Sequence, residues 1–223
     1  MAGLRSTDPI VERLKEFTSC DVSDGLCKLG VSHGGFLPDL GMWSPKRQEG
    51  STKIVGPAYT VKYVAADHEA AKHPTHYIDT IPAGAVVFIS SPRIPNAVYG
   101  GLMSTRASYS GAVGTVIDGR FRDLDEHRDL DYPVFARDIG TAPPQNVKVI
   151  AVNEPVEFNS DGVKTLIKPG DYIVADANGV VVLPSNQAEA ALEAMAAKVD
   201  ADTKMAAEIK KGMSFTDAAK KFR

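Results

Sequence analysis

The close spacing of short apolar segments after Tyr132 limits the fold of this chain more than any other feature. Each segment has the length of a strand, and most gaps between them are too short to hold a helix. They lie at 134–136, 147–152, 156–158, 163–167, 172–175 and 180–183. The spacing does not allow a pure alternation of strand and helix here, and it fits a mixed layered sheet better than a barrel of eight such repeats. We expect an α/β protein with a mixed, layered sheet.

Helical patterns lie at both ends of the chain. Asp8 and Pro9 have the N-cap and first-turn residue types that begin the first helix, and Gly30 is a C-terminal cap for the second. Apolar residues on one face, or a run of alanines, predict helices at 9–17, 20–29, 187–211 and 215–222. These helices should flank the sheet.

The first half of the chain predicts fewer elements. The pattern predicts a loop at 34–50, strands at 54–65 and 85–90, and a helix at 67–79. Trp43 in the loop should be a packing anchor. Pro57 should place the first of these strands at a sheet edge or bulge, since proline cannot donate to a ladder, and Pro74 should bend or break the helix.

Composition indicates an ordinary globular protein. The chain has 223 residues, long enough for one sizeable core, so we expect a single domain over 1–223. A net charge of -3 lacks the basic excess of nucleic-acid-binding proteins. No apolar window approaches a membrane span, and charges interrupt the N-terminus where a signal peptide needs an apolar core. We expect no nucleic-acid or membrane partner and a cytoplasmic location.

Cysteines and histidines show no metal-binding spacing. Cys20 and Cys27 match neither a zinc knuckle nor a redox pair, and we expect them to be buried thiols. The five histidines include no pair with a flanking acid on one helical face. His73 and His76 flank Pro74, which favours a surface or capping role for both.

Residues 96–126 combine backbone donors, a guanidinium and carboxylates. Gly100 and Gly101 open a predicted helix over 102–110, so unpaired amides there would face an anion. A predicted strand over 112–117 leads into an Asp118-Gly119 turn and then Arg122-Asp123. Ligand groups gather at such strand ends in layered α/β folds. We expect a carboxylate-binding site here.

The spacing within this segment carries a family resemblance. Gly101, twenty intervening residues, Arg122-Asp123, two further residues and Glu126 match the signature G-x20-R-D-x2-E/D. The segments CDVSDGLCKLG, IPAGAVVFIS and YPVFARDIGTAPPQ are also similar. The chain resembles the class II pyruvate aldolases acting on 4-hydroxy-4-methyl-2-oxoglutarate and 4-carboxy-4-hydroxy-2-oxoadipate, close relatives of the regulator of ribonuclease activity A. The resemblance covers most of the chain and thins out after Pro184.

The resemblance implies a layered β/β/α fold of the swivelling phosphohistidine-domain type, in a homotrimer or homohexamer with active sites at subunit boundaries. It implies retro-aldol cleavage of a 2-oxo diacid substrate to pyruvate and a second keto acid, with oxaloacetate decarboxylation as a side activity. Asp123 would bind a divalent metal, Mg2+ or Mn2+, and Arg122 the substrate carboxylate. The amides of Gly100, Gly101, Leu102 and Met103 would hold the pyruvyl end.

The residues alone favour the metal route over a lysine Schiff base. Cleavage beside a 2-oxo acid leaves an enolate, which either a lysine imine or a divalent metal can stabilise. The candidate centre contains no lysine; it contains Arg122, Asp118, Asp123, Asp125 and Glu126. Oxygen ligands suit hard cations such as Mg2+.

Simpler interpretations remain open for several residues. Arg122 and Asp123 are also compatible with a surface ion pair, Glu126 with a favourable charge near a helix start, and Asp118 with a purely conformational role. Many bacterial family members carry an acidic residue near Gly101 or Leu102, and this chain does not. The family also takes a glutamate from a neighbouring subunit, which cannot be assigned here among Glu189, Glu193 and Glu208.

A competing hypothesis is a non-catalytic protein that masks a ribonuclease, as the ribonuclease regulators do. Those regulators tend to lose the aspartate after the motif arginine. This chain retains it as Asp123. The aspartate therefore favours the lyase.

Overall fold

The structure, a computed structural model, describes residues 8–223. The first seven residues, part of the argument against a signal peptide, lie outside this range. The helices are α1 (Pro9–Leu14), α2 (Ser19–Lys28), α3 (Gly101–Tyr109), α4 (Leu124–Asp129), α5 (Ala188–Lys210) and α6 (Phe215–Phe222). Asp8 begins α1 as predicted, accepting a hydrogen bond from the Ile10 amide at 2.9 Å. The four predicted terminal helices are confirmed.

Twelve strands lie between α2 and α5. They are β1 (Phe36–Leu37), β2 (Gly41–Ser44), β3 (Ile54–Ala65), β4 (Val86–Ser90), β5 (Ala97–Tyr99), β6 (Gly114–Phe121), β7 (Val134–Ile139), β8 (Val147–Val152), β9 (Val156–Ser160), β10 (Val163–Ile167), β11 (Tyr172–Asp176) and β12 (Gly179–Leu183). All six strands predicted after Tyr132 are present. The short gaps there hold turns, as their length requires.

The strands form a large mixed sheet. Its order is β1-β12-β11-β3-β4-β6-β7-β2, with β5 beside β6 and β8 beside β3, while β9 and β10 form a separate hairpin. The β3–β4, β4–β6, β5–β6 and β6–β7 pairs are parallel, and the others are antiparallel. The expected mixed, layered α/β fold with flanking helices is therefore confirmed.

Three apolar clusters hold the layers together. The first packs α3 against one face of β4, β6 and β7 and includes Tyr99, Ile117 and Phe121. The second lies between the sheet and the β9–β10 hairpin and includes Val116 and Phe158. The third joins α1, α2 and α5 to β11 and β12. Side chains alternate along β6, so this strand contributes to both the first and the second cluster.

Trp43 is a packing residue, as predicted. Its ring meets the edge of Phe121 at 6.0 Å between centroids, and its indole N–H donates to the Ala136 carbonyl at 3.0 Å. The predicted loop over 34–50 nevertheless contains β1 and β2. Both strands are short and pair with distant parts of the chain, and such pairing leaves little local pattern.

The predicted helix over 67–79 is wrong. Only a 3-10 turn at Tyr77–Asp79 forms there. The amide of His73 donates instead to the Val149 carbonyl at 2.8 Å, and the His68 ring accepts from the Ala70 amide at 3.1 Å. Contacts to β8 and local side-chain bonds replace the helical ladder, which Pro74 would interrupt.

The predictions of a sheet edge or bulge at Pro57 and of a turn at Asp118-Gly119 are also wrong. Pro57 lies in the middle of the sheet, where β3 exchanges its partner β11 for β4, so the missing N–H falls at the change of partner. Asp118 and Gly119 do not turn the chain, because β6 continues to Phe121. Instead the register with β7 shifts between Ile117 and Arg120. An irregularity, rather than a turn, occupies this position.

Cys20 and Cys27 are exposed, so the expectation of buried thiols is wrong. The buried face of α2 is formed by Ser19, Val22, Gly25 and Leu26. The cysteines lie off that stripe. Within the described residues, no helix is long and apolar enough to cross a membrane.

Candidate active site

The turn between β5 and α3 presents free backbone donors. No side chain caps the start of α3. The Gly101 amide donates to Oδ2 of Asp123 at 3.1 Å, and the Met103 amide to the Gly100 carbonyl at 2.9 Å. Among the described residues, the amides of Gly100 and Leu102 have no acceptor. Of the four amides predicted to hold a carboxylate, two are therefore already engaged and two are available.

Arg122 and Asp123 follow β6 directly and lie beside this turn. The Arg122 amide donates to the Tyr99 carbonyl at 3.0 Å, which fixes the end of β6 against β5. Asp123 has φ 64° and ψ 44°, in the left-handed region. The Arg122 Nε lies 3.4 Å from Oδ2 of Asp123, with side chains 41% and 32% exposed. Oδ1 of Asp123 has no protein partner in the described range, so one carboxylate oxygen can accept a ligand.

Gly100 and Gly101 let the backbone lie close to the carboxylates of Asp123 and Glu126. A Cβ on Gly100 would lie 2.6 Å from Oδ2 of Asp123, and one on Gly101 would overlap the carboxyl group of Glu126. Any side chain at either position would therefore displace a carboxylate. These contacts give a physical reason for glycine at positions 100 and 101 of this chain.

These groups open onto a cavity of about 500 Å3. Predicted site residues on its wall are Gly100, Leu102, Met103, Arg122 and Asp123, and Glu126 joins them. Gly101 takes part through its amide. Sequence reasoning missed further wall residues, namely Tyr63, Ala97, Val98, Tyr99 and Pro144. Within one chain the cavity is open at one side, where Leu102 is 75% exposed.

Several candidate residues lie elsewhere. Asp118 faces the second apolar cluster and pairs with Arg137, and Asp125 is exposed on α4 outside the cavity. No glutamate of the C-terminal region lies on the wall within one chain. Glu189 pairs with Arg13 at 2.7 Å and Glu208 with Lys211 at 2.8 Å. The site thus holds three of the five charged residues first grouped together.

His76 combines the predicted capping role with a place on the cavity wall. Its Nδ1 accepts from the Ile78 amide at 3.3 Å, and its ring stacks on Tyr77 at 5.0 Å. Because Nδ1 is the acceptor, the neutral ring carries its proton on Nε2. The sequence pattern indicated the cap alone, since the cavity wall is assembled from distant segments.

His127 joins the motif backbone to α3. It is fully buried, with Nε2 2.7 Å from the Arg122 carbonyl and Nδ1 2.7 Å from the Ser104 hydroxyl. A carbonyl only accepts, so Nε2 carries the proton. Desolvation lowers the pKa of His127, and the bond to the Arg122 carbonyl and nearby carboxylates oppose this effect. The neutral ring is therefore a fixed brace behind the site.

A chain of buried hydroxyls continues from this brace. Ser104 lies 3.2 Å from the Tyr99 hydroxyl, which lies 3.0 Å from Thr115, and Thr115 lies 3.1 Å from the Tyr132 hydroxyl. Burial raises the pKa of Tyr99 to about 12. The tyrosine therefore remains neutral at physiological pH, and the network fixes the floor of the cavity.

The donor set fits a hard divalent cation held by few protein ligands. Asp123 offers a free carboxylate oxygen, and Glu126 adds a second carboxylate to the wall. In the range 8–223, no three or more His, Cys, Asp or Glu side chains group as a metal cage. Mg2+ commonly takes one or two carboxylates and completes its shell with water and substrate oxygens.

The chain is similar to several known proteins. A family model described as RraA-like, Aldolase/RraA, matches residues 19–182. Protein DlpA of Legionella pneumophila is 34% identical over 80% of this chain, which spans 28% of that protein. A Halalkalibacterium halodurans protein named "Putative 4-hydroxy-4-methyl-2-oxoglutarate aldolase" is 32% identical over 63% of this chain, which spans 64% of that protein.

Solved structures agree with the fold. An uncharacterized protein from Pseudomonas syringae, 29% identical, has a TM-score of 0.79 over 94% of this chain and 96% of that one. RraAS2 of Streptomyces coelicolor, described as an unusual member of the RNase ES inhibitor RraA family, has a TM-score of 0.77 at 22% identity, over 93% of this chain and all of that one. The match of the family model over most of the sheet and its motif shows that this chain belongs to the RraA-like (Aldolase/RraA) family.

Proposed function

We propose that this protein is a divalent-metal-dependent carbon–carbon lyase. It would cleave 4-hydroxy-4-methyl-2-oxoglutarate-type 2-oxo diacids to pyruvate and a second keto acid. The observation that carries the proposal is the convergence of Arg122, Asp123 and two free amides on one cavity. The names of several relatives as 4-hydroxy-4-methyl-2-oxoglutarate aldolases support the same class of reaction.

The chain's own groups would bind the pyruvyl end of the substrate. Arg122 is positioned to hold a carboxylate through its fork of donors, and the free amides of Gly100 and Leu102 to donate to the same group. The aromatic side chains of Tyr63 and Tyr99 close the wall behind it and exclude water. The other half of the substrate would extend toward the open side of the cavity, near Leu102.

Asp123 is the proposed metal ligand, through Oδ1. Its Oδ2 is held by the Gly101 amide and Arg122, which aims the free oxygen at the cavity. When bound there, Mg2+ or Mn2+ would supply Lewis acidity at the keto oxygen and so stabilise enolate charge. No lysine lies on the described wall of the cavity, so the chain offers no amine for an imine route. Oxaloacetate decarboxylation should accompany cleavage, because both reactions leave a pyruvate enolate.

Pyruvate release tests the proposal directly. Purified protein is assayed with 4-hydroxy-4-methyl-2-oxoglutarate and with oxaloacetate, after chelator treatment and after Mg2+ or Mn2+ is restored. We expect loss with chelator and recovery with metal for both substrates. Undiminished release after chelation would remove the metal mechanism, and irreversible inactivation by borohydride with substrate would assign the reaction to a lysine instead.

The ribonuclease-masking hypothesis is the second candidate, because the family description covers RraA as well as aldolases. Under this hypothesis, Asp123 would not act as a metal ligand. Stoichiometric inhibition of a ribonuclease, together with no Mg2+ or Mn2+ binding by calorimetry, would favour it over the lyase.

We also propose a homotrimer or homohexamer with the cavity at a subunit boundary. Leu102 and Tyr109 on α3 are 75% and 83% exposed beside the open side of the cavity, as expected for side chains that a neighbouring subunit covers. Light scattering with activity measured on dilution tests this arrangement. A fully active monomer would contradict it.

A further inference from the structure

A second cleft, of about 490 Å3, lies where three parallel strands end. β4, β6 and β7 are adjacent and parallel, and the cleft is walled by residues at or just past their C-terminal ends. Such ends are the usual ligand-binding edge of an α/β sheet. The cleft shares no wall residue with the candidate active site and lies toward the second apolar cluster, where Arg137 packs over Phe158 at 5.2 Å.

Three arginines, Arg93, Arg120 and Arg137, wall this cleft. The guanidinium of Arg93 contacts only neutral acceptors, through Nη2 to the Asn159 carbonyl at 2.8 Å and the Ser160 hydroxyl at 3.1 Å. No described carboxylate lies within ion-pair distance of it. Its Nε and Nη1 have no partner in the described chain. Arg93 therefore brings donors that form no salt bridge, although its charge also acts on Asp39 and Asp118.

Arg137 is the built-in floor of the cleft. Its side chain is 9% exposed, and its Nη2 is buried with no hydrogen-bond partner in the described chain. Buried guanidinium nitrogens are normally satisfied, so an unpartnered one indicates a missing acceptor. Nε and Nη1 are held by Asp118, Asp39 and Ser160, which fixes the orientation of the whole group.

Carboxylates nearby do not cancel these donors. Asp39 and Asp118 are engaged by Arg137, and Asp138 pairs with Arg120 at 2.7 Å on an exposed edge, where water and salt compete for both partners. Nε and Nη2 of Arg120 have no acceptor among the described residues. The wall thus keeps unused N–H groups on Arg93 and Arg120, while the unpartnered Nη2 of Arg137 is buried. An anion offers acceptors that these aspartates do not supply.

The loop over 92–95 gives the cleft a fixed shape. The loop has the sequence Pro92-Arg93-Ile94-Pro95, and all four residues lie on the wall of the cleft. The Ile94 amide donates to the Pro92 carbonyl at 2.9 Å. Proline restricts the backbone on both sides of the arginine. The loop holds the Arg93 guanidinium near the other two and adds an apolar wall.

We propose that this cleft binds a small organic anion through a carboxylate or phosphate group. Arg93 and Arg120 would contribute the donors, in the planar geometry that suits either group, and Arg137 would add the positive charge of the floor. The proposal does not rest on the proposed lyase activity. A protein without that activity could still carry this anion site.

Anion binding can be measured without any catalytic assay. Calorimetric titration with inorganic phosphate and, separately, with succinate would show which group the cleft prefers. The double variant Arg93→Gln/Arg120→Gln removes two outer charges, both on side chains that reach solvent. We expect saturable binding of at least one anion, weakened at least about tenfold in the double variant, the loss of one good charge-assisted contact.

Matched arginine variants separate this cleft from the candidate active site and from general charge. Arg122→Gln changes the other cavity, and Arg13→Gln changes an exposed ion pair on α1. Arg13→Gln should retain the wild-type anion affinity, and Arg122→Gln should retain the saturable binding that the double variant weakens. Equal affinity in the double variant, or loss of binding in Arg122→Gln alone, would overturn the proposal, as would absence of saturable binding of both anions at millimolar concentration.

A site-resolved signal completes the test. The side-chain Nε–Hε resonances of Arg93 and Arg120 are assigned by their loss in single glutamine variants. Titration of the bound anion should move these two resonances together, with one affinity. Shifts confined to Arg122 would place the anion in the candidate active site and overturn the proposal.

Discussion

Two arginine–aspartate pairs at the end of β6 differ in how much water reaches them. Arg122 and Asp123 are 41% and 32% exposed, lie 3.4 Å apart and retain unpartnered polar atoms. Arg137 and Asp118 are 9% and 7% exposed and are bonded to each other, and Arg137 also donates to Asp39 and Ser160. Residue types are the same in both pairs. Access to solvent and a free carboxylate oxygen, rather than the pairing itself, distinguish the proposed catalytic pair from the supporting one.

Burial also acts differently on the two pairs. Desolvation raises the pKa of Asp118 even though Arg137 lies beside it and acts in the opposite direction. Such a pair contributes little net stability while intact, but breaking it leaves a buried charge alone. Loss of the exposed pair leaves both charges in water. Loss of the Arg122–Asp123 pair should therefore lower activity, whereas loss of the Arg137–Asp118 pair should destabilise the fold.

The largest effect is expected for Asp123→Ala. Removing the proposed metal ligand should lower pyruvate release by several orders of magnitude, and raised Mg2+ should recover part of it if affinity is the main loss. The melting temperature should remain within a few degrees of wild type, since the side chain lies outside the core. Substantial residual activity would place the metal elsewhere, and a large loss of stability would make the pair structural.

Arg137→Met should destabilise the fold by about 3–5 kcal/mol, because Asp118 would be left buried without its partner. Urea unfolding of this variant is compared with the double variant Arg137→Met/Asp118→Leu, which removes both charges. The double variant should recover part of the loss. A single variant as stable as wild type would show that Arg137 does not support Asp118.

Arg122→Ala should lower kcat/KM by an amount equivalent to about 2–5 kcal/mol, because it removes a charge-assisted contact from which the bound substrate would exclude water. Raised metal should not rescue it. Arg122→Lys should recover little, since one ammonium cannot reproduce the fork. Full rescue by lysine would reduce the role of Arg122 to its charge alone.

The smallest effect concerns acid stability through His127. Its folded pKa is lowered from 6.5, so its contribution to stability is fully present above 6.5 and is lost as pH falls toward the folded value. The slope is at most about 1.4 kcal/mol per pH unit. Unfolding of wild type and His127→Gln is followed between pH 7 and about pH 5. Equal slopes in the two proteins would exclude His127 as the source.

Sequence spacing predicted the grouping of the motif residues because a helix start and a strand end are local features. Gly101, Arg122 and Asp123 meet as expected, and α3 has nearly its predicted bounds, whereas β6 continues past its predicted end to Phe121. The further wall of the cavity was not predictable in this way. Tyr63 and Pro144 come from β3 and a later loop, and nothing local in the sequence brings them together.

The errors in the fold have the same origin. Residues 67–79 contain enough helix-forming residues to suggest a helix, but a hydrogen bond to β8 fixes their backbone. On α2, Cys20 and Cys27 were expected to be buried because their spacing matches no metal or redox motif. The buried stripe instead contains Gly25, where a Cβ would lie 2.7 Å from Cγ of Met195 on α5. Tertiary contact, rather than local propensity, decided each case.

The left-handed backbone of Asp123 has an evolutionary consequence. At φ 64° an aspartate costs about 1 kcal/mol that glycine would not, yet this conformation turns the carboxylate toward the Gly101 amide. Mutation toward glycine here would make the fold easier to maintain and remove the proposed ligand in one step. Under the proposed function, selection for activity would oppose mutation to glycine at this codon. A lineage released from that selection is expected to lose the aspartate early, while the rest of the domain persists.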